Sequence, residues 1–517
     1  MFCKVYCATC NGIDAITVTV EVDITPGISF NLVGLPDVAV KESLQRISGA
    51  LGHYGFKIPG KRILVNMAPA NIKKEGSAFD LAIAVGILYA SGQVIKREEG
   101  TELYIERKLS GYLIMGELAL DGSLRDFQGA LAIAASAKAM GFHSCIFPCQ
   151  TAMECTEIDD ISIYRAESIE DVIKILEKNE EAQSRLCSRT PYRRTMERER
   201  LFENDFAYIK GQDVAKRGLE VAVAGGHNIL LSGSPGCGKT LLARSLGTIM
   251  PTMTKEEAVQ TSKIYSVAGL LKGHTGLLKE RPFRAPHHTA STASIIGGGS
   301  NALPGEISLA HNGVLFLDEF TEFPRHSIEV LRQPMEDGFI QISRVKKKVS
   351  YPCVFTLVAA MNPCPCGYYN TPGGQCSCSS SEIRRYQAKI SGPILDRIDI
   401  QINLKPVPVR ELRGGNLSER SYDIAKRVEM ARTIQNERYS NESFTTNSRL
   451  PANLIDKYCR LGVAEERLLK KIVERERLSM RSYTRIIKIS RTIADLAGTE
   501  KISTEHIAGA LCFRNEI

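Results

Sequence analysis

A glycine-rich segment that ends in lysine and threonine carries the strongest chemical signal in the sequence. Residues 233–240 match the pattern G-x-x-x-x-G-K-[ST] in full. Glycines let backbone N–H groups converge on phosphate oxygens, and the N-terminus of a following helix favours an anion. Lys239 would reach the β- and γ-phosphates, and Thr240 would offer its hydroxyl to Mg²⁺. The segment predicts an ATP-binding loop formed by Gly233, Ser234, Pro235, Gly236, Cys237, Gly238, Lys239 and Thr240.

Two adjacent carboxylates follow an apolar run further along the chain, at Asp318 and Glu319. The run reads as a buried strand that delivers both side chains at its carboxyl end. Asp318 would hold Mg²⁺ together with Thr240, and Glu319 would orient and deprotonate the attacking water. This pair is the expected partner of the phosphate loop.

Three further side chains fit roles in ATP hydrolysis. Asn362 follows a third apolar strand, and a strand that lies between the other two would bring its amide to the γ-phosphate. Arg397 fits a finger that reaches the ATP of a neighbouring subunit, because a guanidinium stabilises charge on a γ-phosphoryl group. Arg481 is the candidate for a second sensor within the same subunit, and Arg485, one helical turn on, is its rival.

The elements around these residues divide the chain into regions. The phosphate loop needs a strand before it (228–231) and a helix after it (241–246), and both patterns are present. The first part of the chain alternates strand-like and helix-like segments, including 15–22, 38–51, 62–67, 79–88, 131–140 and 144–147. Helical spacing then dominates after residue 410, at 417–439, 454–461, 465–476, 481–496 and from 504 onward.

We therefore predict an α/β fold class with three domains. An α/β domain covers 1–176, an α/β ATPase core 205–410, and a helical domain 411–517. The charged segment 177–204 loses apolar periodicity and is interpreted as a linker, with a single solvated helix as the open alternative.

The amino-acid composition restricts the classes of protein to which the chain can belong. Of 517 residues, 43% are hydrophobic and 24% charged, which is enough apolar material for several cores. No uninterrupted apolar run reaches the roughly 18 residues of a membrane span, and the start lacks the apolar core of a signal peptide. We expect a cytoplasmic protein without a membrane span. The net charge of +8 permits nucleic-acid binding without demonstrating it.

A basic hairpin is predicted between the Asp318 strand and the Asn362 strand. Two β-prone arms within residues 339–351 flank a tip that carries Arg344, Lys346, Lys347 and Lys348. Such side chains would bind DNA phosphates without reading sequence, and the binding would be sensitive to salt. A solvated hairpin tip without a ligand would carry the same charges.

The cysteines point to one metal site. Cys364, Cys366, Cys376 and Cys378 form two C-x-C pairs around a flexible connector, and four thiolates can surround a tetrahedral, structural Zn²⁺. Four unligated thiols are the alternative. Cys3, Cys7 and Cys10 imitate an iron–sulfur spacing, but we interpret their segment as an ordinary strand. His287 and His288 are adjacent, and on an extended segment they would point in opposite directions, which favours a structural role over metal binding.

Longer motifs then resemble one family. The sequence is similar to the ComM/YifB family of magnesium-chelatase-like AAA+ proteins at 12–14 (GID), 33–37 (VGLPD), 74–80 (KEGSAFD), 116–118 (GEL), 281–288 (RPFRAPHH), 295–300 (IIGGGS), 304–319 and 491–496 (RTIADL). The resemblance implies a Lon-protease-like N-terminal domain, an AAA+ core, a C-terminal helical lid and a homo-hexameric ring. It also implies a DNA helicase that promotes branch migration when incoming DNA recombines in natural transformation.

The resemblance leaves other functions to be weighed. In Lon-type proteases the nucleophile is a serine, whereas alignment of the helix that follows places Ala78, not Ser77, at that position. We therefore expect the N-terminal domain to be non-proteolytic. The alternative to a DNA translocase is a chelatase-like or chaperone-like ATPase that remodels a protein partner. DNA-stimulated ATPase activity would distinguish the two.

Overall fold

The computed structural model describes residues 2–95, 101–178, 180–193, 204–271, 273–299, 301–344, 347–408, 418–476 and 478–514. Its strands are β1 (Phe2–Asn11), β2 (Asp14–Thr25), β3 (Ser29–Val33), β4 (Arg62–Ala68), β5 (Tyr112–Ile114), β6 (Glu117–Leu118), β7 (Leu124–Arg125), β8 (Ser144–Pro148), β9 (Ser162–Ala166), β10 (Ile229–Gly233), β11 (Phe283–Arg284), β12 (Gly297–Gly298), β13 (Leu303–Pro304), β14 (Val314–Leu317), β15 (Phe339–Arg344), β16 (Lys347–Pro352), β17 (Thr356–Met361) and β18 (Ile400–Leu404).

The helices are α1 (Val38–Lys41), α2 (Ser43–His53), α3 (Asp80–Ser91), α4 (Thr101–Leu109), α5 (Ala130–Ala137), α6 (Cys149–Glu154), α7 (Ile169–Glu177), α8 (Glu180–Arg185), α9 (Asp213–Gly225), α10 (Lys239–Ser245), α11 (Lys255–Val267), α12 (Thr292–Ile296), α13 (Glu306–Leu309), α14 (Arg325–Glu329), α15 (Arg332–Asp337), α16 (Ser380–Gln387), α17 (Gly392–Leu395), α18 (Ser421–Arg438), α19 (Ile455–Tyr458), α20 (Val463–Glu476), α21 (Met480–Leu496) and α22 (Thr504–Leu511). Within these ranges, no helix is both long and apolar enough to cross a membrane.

The chain folds into two compact units, and each consists of two separate stretches of sequence. Unit 1 comprises Met1–Arg193 and Lys255–Leu278, and unit 2 comprises Arg194–Thr254 and Lys279–Ile517. A segment that follows the phosphate loop in sequence thus belongs to the N-terminal unit. The domain boundaries drawn from the sequence did not anticipate this segment, and they remain predictions.

Unit 1 is built on a seven-stranded mixed sheet with the order β3-β4-β2-β1-β5-β8-β9. The strand predicted at 15–22 is confirmed as the central part of β2, where Val18, Val20 and Val22 are fully buried. Alternate residues of a strand face one side of the sheet, so this pattern places the core on that face. The helix predicted at 38–51 forms as two helices, because α1 ends after one turn at Glu42.

The segment 255–278 completes unit 1 through specific hydrogen bonds. The Ser266 carbonyl accepts from the Gly129 N–H at 3.0 Å, and the Ser266 hydroxyl accepts from the Leu131 N–H at 3.2 Å. These bonds join α11 to the start of α5, where the first N–H groups of a helix lack partners. The Glu157 carboxylate accepts from the Leu277 N–H at 2.9 Å. The segment is therefore an integral part of the unit.

The cysteines near the N-terminus lie in an ordinary strand, as predicted. Cys3 and Cys7 are buried in β1, which pairs with β2 along its length. Burial raises the pKa of the Cys3 thiol to about 12, and an apolar thiol of this kind is inert.

Unit 2 contains a parallel sheet with the order β11-β14-β17-β10-β18. Every residue of β10, β14 and β17 is buried, as expected for strands covered on both faces by helices. The predicted α/β fold class is confirmed. Helices α18, α20, α21 and α22 match the helical segments predicted from spacing, whereas the segment predicted at 454–461 is helical only over the single turn α19.

A buried polar network holds the helical part of unit 2 together. The Asp495 side chain, with no exposed surface, accepts hydrogen bonds from Arg438, Arg491 and Asn447. The Arg491 side chain is 3% exposed, so its charge has little access to water. Both guanidinium groups thus depend on one carboxylate.

We predict that Asp495→Ala destabilises the protein strongly. Removal of one partner leaves two arginines without their counter-ion, which costs roughly 3–5 kcal/mol for a buried pair. Denaturant or thermal unfolding measures the loss. Glu474→Ala, at an exposed position of α20, is the control and should change the free energy of unfolding by about 0.5 kcal/mol or less. Equal stability of the two variants would contradict the role of the network.

Candidate nucleotide-binding site

The phosphate loop joins β10 to α10, as the sequence predicts. Gly236 and Gly238 have φ angles of +76° and +94°, a left-handed conformation that glycine adopts without strain. A side chain at either position would meet no neighbouring atom within 4 Å, so the concave face of the loop is open. The loop leads into the first turn of α10, and the N-terminus of a helix favours an anion such as a phosphate group.

Lys239 lies at the centre of this loop. Its Nζ donates to the carbonyls of Gly233 (2.7 Å) and Ser234 (3.0 Å) and to Oδ1 of Asn362 (3.1 Å). Burial lowers the pKa of Lys239, whereas the nearby Cys237 and Asp318 act in the opposite direction. The ammonium group is thus held at the position from which it would contact phosphate oxygens.

The order of the strands explains why Asn362 reaches Lys239. Strand β17 lies between β10 and β14, with Ser232 opposite Met361 and Leu317 opposite Ala359. Since the carboxyl ends of parallel strands meet at one edge, the residues that follow them converge. The predicted placement of the Asn362 strand between the other two is confirmed, while its sensing role remains a prediction.

Thr240 and Asp318 are in direct contact. The Thr240 hydroxyl donates to Oδ2 of Asp318 at 2.7 Å. Neighbouring ligand oxygens of an octahedral Mg²⁺ lie about 2.9 Å apart, given metal–oxygen distances of 2.0–2.1 Å. These two oxygens therefore fit adjacent positions in the coordination shell of a magnesium ion.

Glu319 begins the turn after β14 in an unusual conformation. Its φ angle is +52°, in the left-handed region, and its N–H donates to Oδ1 of Asp318 at 3.0 Å. A non-glycine residue in this region costs roughly 1–2 kcal/mol, and such strain is concentrated at functional sites. The Glu319 side chain is 58% exposed, and its Oε2 lies 3.0 Å from Nδ1 of His288.

The expected arrangement of His287 and His288 is wrong. Their ring centroids are 4.1 Å apart, so the rings lie side by side and do not point in opposite directions. The reason is a turn, in which the Ala290 N–H donates to the His287 carbonyl at 2.9 Å. The contact between His288 and Glu319 was missed because spacing along the chain does not reveal it.

A cleft of about 680 Å³ opens beside Glu319. Asn362 and Pro365 line it together with residues of α16 and the turn after it. They include Arg385, Tyr386 and Lys389. The Lys389 ammonium lies 5.2 Å from the Tyr386 ring centroid, a cation–π contact. Arg385 and Lys389, which lie beside the candidate catalytic carboxylate, were not predicted because no recognisable sequence motif marks them.

Arg397 is engaged within its own chain. Its guanidinium forms an ion pair with Glu336 and donates to the Pro393 carbonyl at 2.7 Å. The hydrogen bond from Arg397 lowers the pKa of Glu336. The Arg397 side chain is 11% exposed, so a role in a neighbouring subunit requires exchange of Glu336 for another anion. That role remains a prediction.

The rival arginines of α21 both approach Asp396. Arg485 donates to the carbonyls of Asp396 (2.7 Å) and Ile398 (3.0 Å) and is 16% exposed. Arg481 is 63% exposed, with Nη1 3.7 Å from Oδ2 of Asp396. Arg485 therefore ties the helical part of unit 2 to the segment around Arg397, and Arg481 keeps a guanidinium accessible. The choice of second sensor remains a prediction.

The predicted hairpin forms as β15 and β16. Ile340, Ile342, Val349 and Tyr351 are buried on one face, and Gln341, Ser343, Lys348 and Ser350 are exposed on the other. Arg344 and Lys347 occupy paired backbone positions at the ends of the strands. Lys346 and the side chains of Arg344 and Lys347 lie outside the described residues. One face of the hairpin is thus buried, and Lys348 lies on the opposite, exposed face.

The four predicted zinc ligands converge. The sulfur atoms of Cys364, Cys366, Cys376 and Cys378 all lie within 4.8 Å of one another. The distances from Cys364 Sγ to Cys366 Sγ and Cys376 Sγ are 3.3 and 3.8 Å. A Zn–S distance of about 2.3 Å in a tetrahedron requires sulfur atoms about 3.8 Å apart. The N–H groups of Cys366 and Tyr369 donate to two of these sulfurs, as expected around a metal-bound thiolate.

Three family models match successive parts of the chain. Residues 205–412 match the family described as magnesium chelatase, subunit ChlI. Residues 20–151 match subunit ChlI of Mg-chelatase, and residues 418–514 match the ChlI C-terminal family. The parallel sheet, the phosphate loop and these matches define a magnesium-chelatase-type AAA+ ATPase.

Relatives that match over the full length define the family further. The chain is 41% identical over 514 residues to competence protein ComM of Haemophilus influenzae, which covers 99% of this chain and 97% of that protein. It is 37% identical over 506 residues to YifB of Escherichia coli, covering 97% of this chain and 95% of that protein. The chloroplastic magnesium-chelatase subunit ChlI-2 of Arabidopsis thaliana is 24% identical over 345 residues, or 60% of this chain and 75% of its own length. The chain belongs to the ComM/YifB family of magnesium-chelatase-like proteins.

We predict that Lys239→Ala weakens binding of Mg-ATP at least tenfold, equivalent to about 1.4 kcal/mol or more. The variant lacks the ammonium group that lies between the loop carbonyls and Asn362. Titration with a fluorescent ATP analogue measures the affinity. Arg244→Ala changes an exposed cation on the same helix and should bind within twofold of the natural protein. Unchanged affinity of Lys239→Ala would show that this loop is not the nucleotide site.

Proposed function

We propose that this chain is a DNA-translocating AAA+ ATPase that works as a homo-hexamer and promotes branch migration when incoming DNA recombines. The observation that carries the proposal is the basic hairpin β15–β16, which lies in the chain between the strand that leads to Glu319 and the strand that leads to Asn362. Residues 353–355 join β16 to the start of β17, so the hairpin is closely connected to the strand that leads to Asn362. We place this activity in the cytoplasm, where the DNA would be processed.

The residues of the site have distinct tasks in this proposal. A bound Mg²⁺ would supply positive charge that offsets the negative charge of the phosphates. Thr240 and Asp318 would hold the ion, and Lys239 would bind the β- and γ-phosphates. Glu319 would accept a proton from the attacking water, and Asn362 would orient the γ-phosphate through its amide.

Arg397 would act on the ATP of the adjacent subunit. Within its own chain the guanidinium has Glu336 as a counter-ion. A γ-phosphate carries more charge than one carboxylate and accepts the planar, bidentate contact of arginine. We therefore propose an exchange of Glu336 for the phosphate, which would make hydrolysis depend on ring assembly.

DNA would be held by the hairpin through its phosphates. The sequence carries Arg344, Lys346, Lys347 and Lys348 between the two arms of the hairpin, and contacts from such residues would position a nucleic acid without reading its bases. The name of the Haemophilus relative, a competence protein, agrees with a substrate of incoming single-stranded or branched DNA. The matches to chelatase subunits favour the alternative, an ATPase that remodels a protein partner.

We also propose a structural Zn²⁺ held by Cys364, Cys366, Cys376 and Cys378. The connector between the pairs lies on the phosphate loop, because a side chain at Gly367 would come within 2.6 Å of the Pro235 ring. Cys364 is fully buried and follows Asn362 closely in sequence. The four sulfurs would thus fix the loop that joins Asn362 to α16 and keep it against the nucleotide site.

We predict that single-stranded or forked DNA stimulates the steady-state ATPase rate, and that this stimulation falls as salt rises from about 50 to 200 mM. Glu319→Gln should abolish hydrolysis while the protein still binds ATP, since glutamine cannot accept the proton. Replacement of Arg344, Lys346, Lys347 and Lys348 by alanine should remove the stimulation and leave the basal rate.

The control for the hairpin replaces the exposed Gln341 and Ser350 with alanine on the same two strands, and it should keep full stimulation. Mass photometry with ATP should show a hexamer. A robust ATPase that is indifferent to every DNA tested would refute the translocase proposal and favour a protein partner.

We predict one equivalent of zinc per chain in the purified protein, measured by elemental analysis. Cys376→Ser combined with Cys378→Ser should lower the zinc content below about 0.2 equivalents and reduce the ATPase rate severalfold, because the loop after Asn362 is released. Cys512→Ser changes an exposed cysteine and should keep both zinc and activity. Metal-free protein with full activity would show that the four sulfurs serve no structural metal.

A further inference from the structure

The backbone around Arg397 is held by two side chains from other parts of unit 2. The carbonyls of Asp396 and Ile398 accept hydrogen bonds from the Arg485 guanidinium at 2.7 and 3.0 Å. The Arg397 carbonyl, which lies between them in sequence, accepts from Nδ2 of Asn228 at 2.9 Å. Three consecutive carbonyls thus have side-chain donors, and a shift of this backbone would break at least one of these bonds.

Asn228 is itself fixed in the parallel sheet. It directly precedes β10, and its Oδ1 accepts from the Leu357 N–H of β17 at 2.8 Å. Its backbone carbonyl accepts from the N–H groups of Asp399 and Ile400 at 3.0 Å each. An amide side chain has one acceptor and one donor end, so both ends of Asn228 are used. Asn228 therefore links the Arg397 backbone to strands β10 and β17.

Arg485 connects the same backbone to helix α21. Its side chain is 16% exposed and lies 3.5 Å from Oδ1 of Asp396 and 3.9 Å from Oδ1 of Asp399. A guanidinium holds its N–H donors in a fixed planar fork, so bonds to two carbonyls determine its orientation. Ile486, the next residue of α21, is buried in the core of unit 2. A displacement of α21 would therefore be passed on to the backbone of Arg397.

The Arg397 guanidinium has a donor that the described part of the chain does not use. Its Nε is buried and has no hydrogen-bond partner among the described residues. Strands β10 and β18 are parallel, and Arg397 precedes β18 whereas the phosphate loop follows β10. Arg397 thus lies at the opposite edge of the sheet from its own loop, separated by the five residues of β10, or roughly 16 Å of strand. The unused donor and this separation both fit an anion that another subunit presents.

We propose that Asn228 and Arg485 are positioning residues, which aim Arg397 at the ATP of the adjacent subunit and do not touch the nucleotide of their own chain. The inference rests on the proposed action of Arg397 on a neighbour. It assigns Arg485 to the finger and leaves Arg481 as the second sensor. Because Arg485 belongs to α21, the finger that a subunit presents depends on the position of its own helical domain.

Two substitutions remove these hydrogen bonds with little change in side-chain size. Arg485→Lys keeps the positive charge, but an ammonium group lacks the planar fork that bonds both carbonyls. Asn228→Asp keeps an oxygen for the N–H of β17 and replaces the donor to the Arg397 carbonyl by an acceptor. The matched controls are Arg475→Lys and Asn436→Asp, which make the same chemical changes at exposed positions of α20 and α18.

The experiment measures the steady-state ATPase rate of rings that are assembled from two full-length proteins. Glu319→Gln subunits keep the finger but lack the base, and Arg397→Ala subunits keep the base but lack the finger. In a ring with head-to-tail contacts, each subunit presents its finger to one neighbour. An equal mixture should recover about a quarter of the natural rate, because half of the chains have the base and half of these have a neighbour with the finger.

The subunit that carries the substitution decides the outcome. In the Glu319→Gln subunit, which supplies the finger, Arg485→Lys and Asn228→Asp should each lower the recovered rate at least fivefold. In the Arg397→Ala subunit, which supplies only the hydrolytic site, each should leave the recovered rate within twofold. The two control variants should have no effect in either subunit. Melting curves and mass photometry check the folding and assembly of every variant.

The inference requires a loss in the finger-supplying subunit alone, for both variants, and every other pattern overturns it. A loss only in the Arg397→Ala subunit would assign the residue to its own nucleotide site, as for a second sensor. A loss in both subunits would mean a general role in folding or assembly, and a loss in neither would mean that the hydrogen bonds do not matter. A simple mixture of Glu319→Gln and Arg397→Ala without recovered activity is a separate failure, because it refutes the action of Arg397 on a neighbour before Asn228 and Arg485 are considered.

Discussion

The position of β17 between β10 and β14 is the constraint on which the site of unit 2 depends. It sets three strand ends side by side, so that Lys239 donates to Asn362 and Thr240 donates to Asp318. Both contacts join residues far apart in sequence, and both are fixed by the hydrogen-bond register of buried strands. A shift of that register would separate all four groups at once. The relative positions of these four residues are thus set mainly by the sheet, and the loops determine only the final placement of the side chains.

Around this rigid centre lie groups whose partners can change. Arg397 is bound to Glu336, Arg485 to backbone carbonyls at 396 and 398, and Glu319 to His288. Each is a charged group with a partner in the same chain. These pairs matter because a buried polar group without a hydrogen-bond partner lowers the stability of the folded protein.

The sequence was most informative where one local pattern determines the structure. The phosphate loop, the buried strands of unit 2 and the basic hairpin were all predicted, because their turn residues and apolar runs are continuous in the chain. The four cysteines were also predicted, since their spacing brings the sulfurs together. The contact of His288 with Glu319 was not predicted, because it joins two residues that are distant in the sequence. Residues 255–267 look like any amphipathic helix, and no local signal shows that their partner is α5.

Unit 1 is formed from two separate stretches of sequence, and this affects how the protein can be divided into fragments. Two stretches of backbone contribute to one cooperative core, so a protease cut at the charged segment near residue 200 would leave the N-terminal fragment attached through α11 and its hydrogen bonds to α5. A fragment that ends at Arg193 would lack Ser266, which accepts hydrogen bonds from the N–H groups at the start of α5. A fragment that begins after Arg193 would carry α11 without α5. To prepare the two units separately, residues 255–278 must be replaced by a loop in the fragment that carries unit 2. A copy of residues 255–278 must be linked to the fragment that carries unit 1.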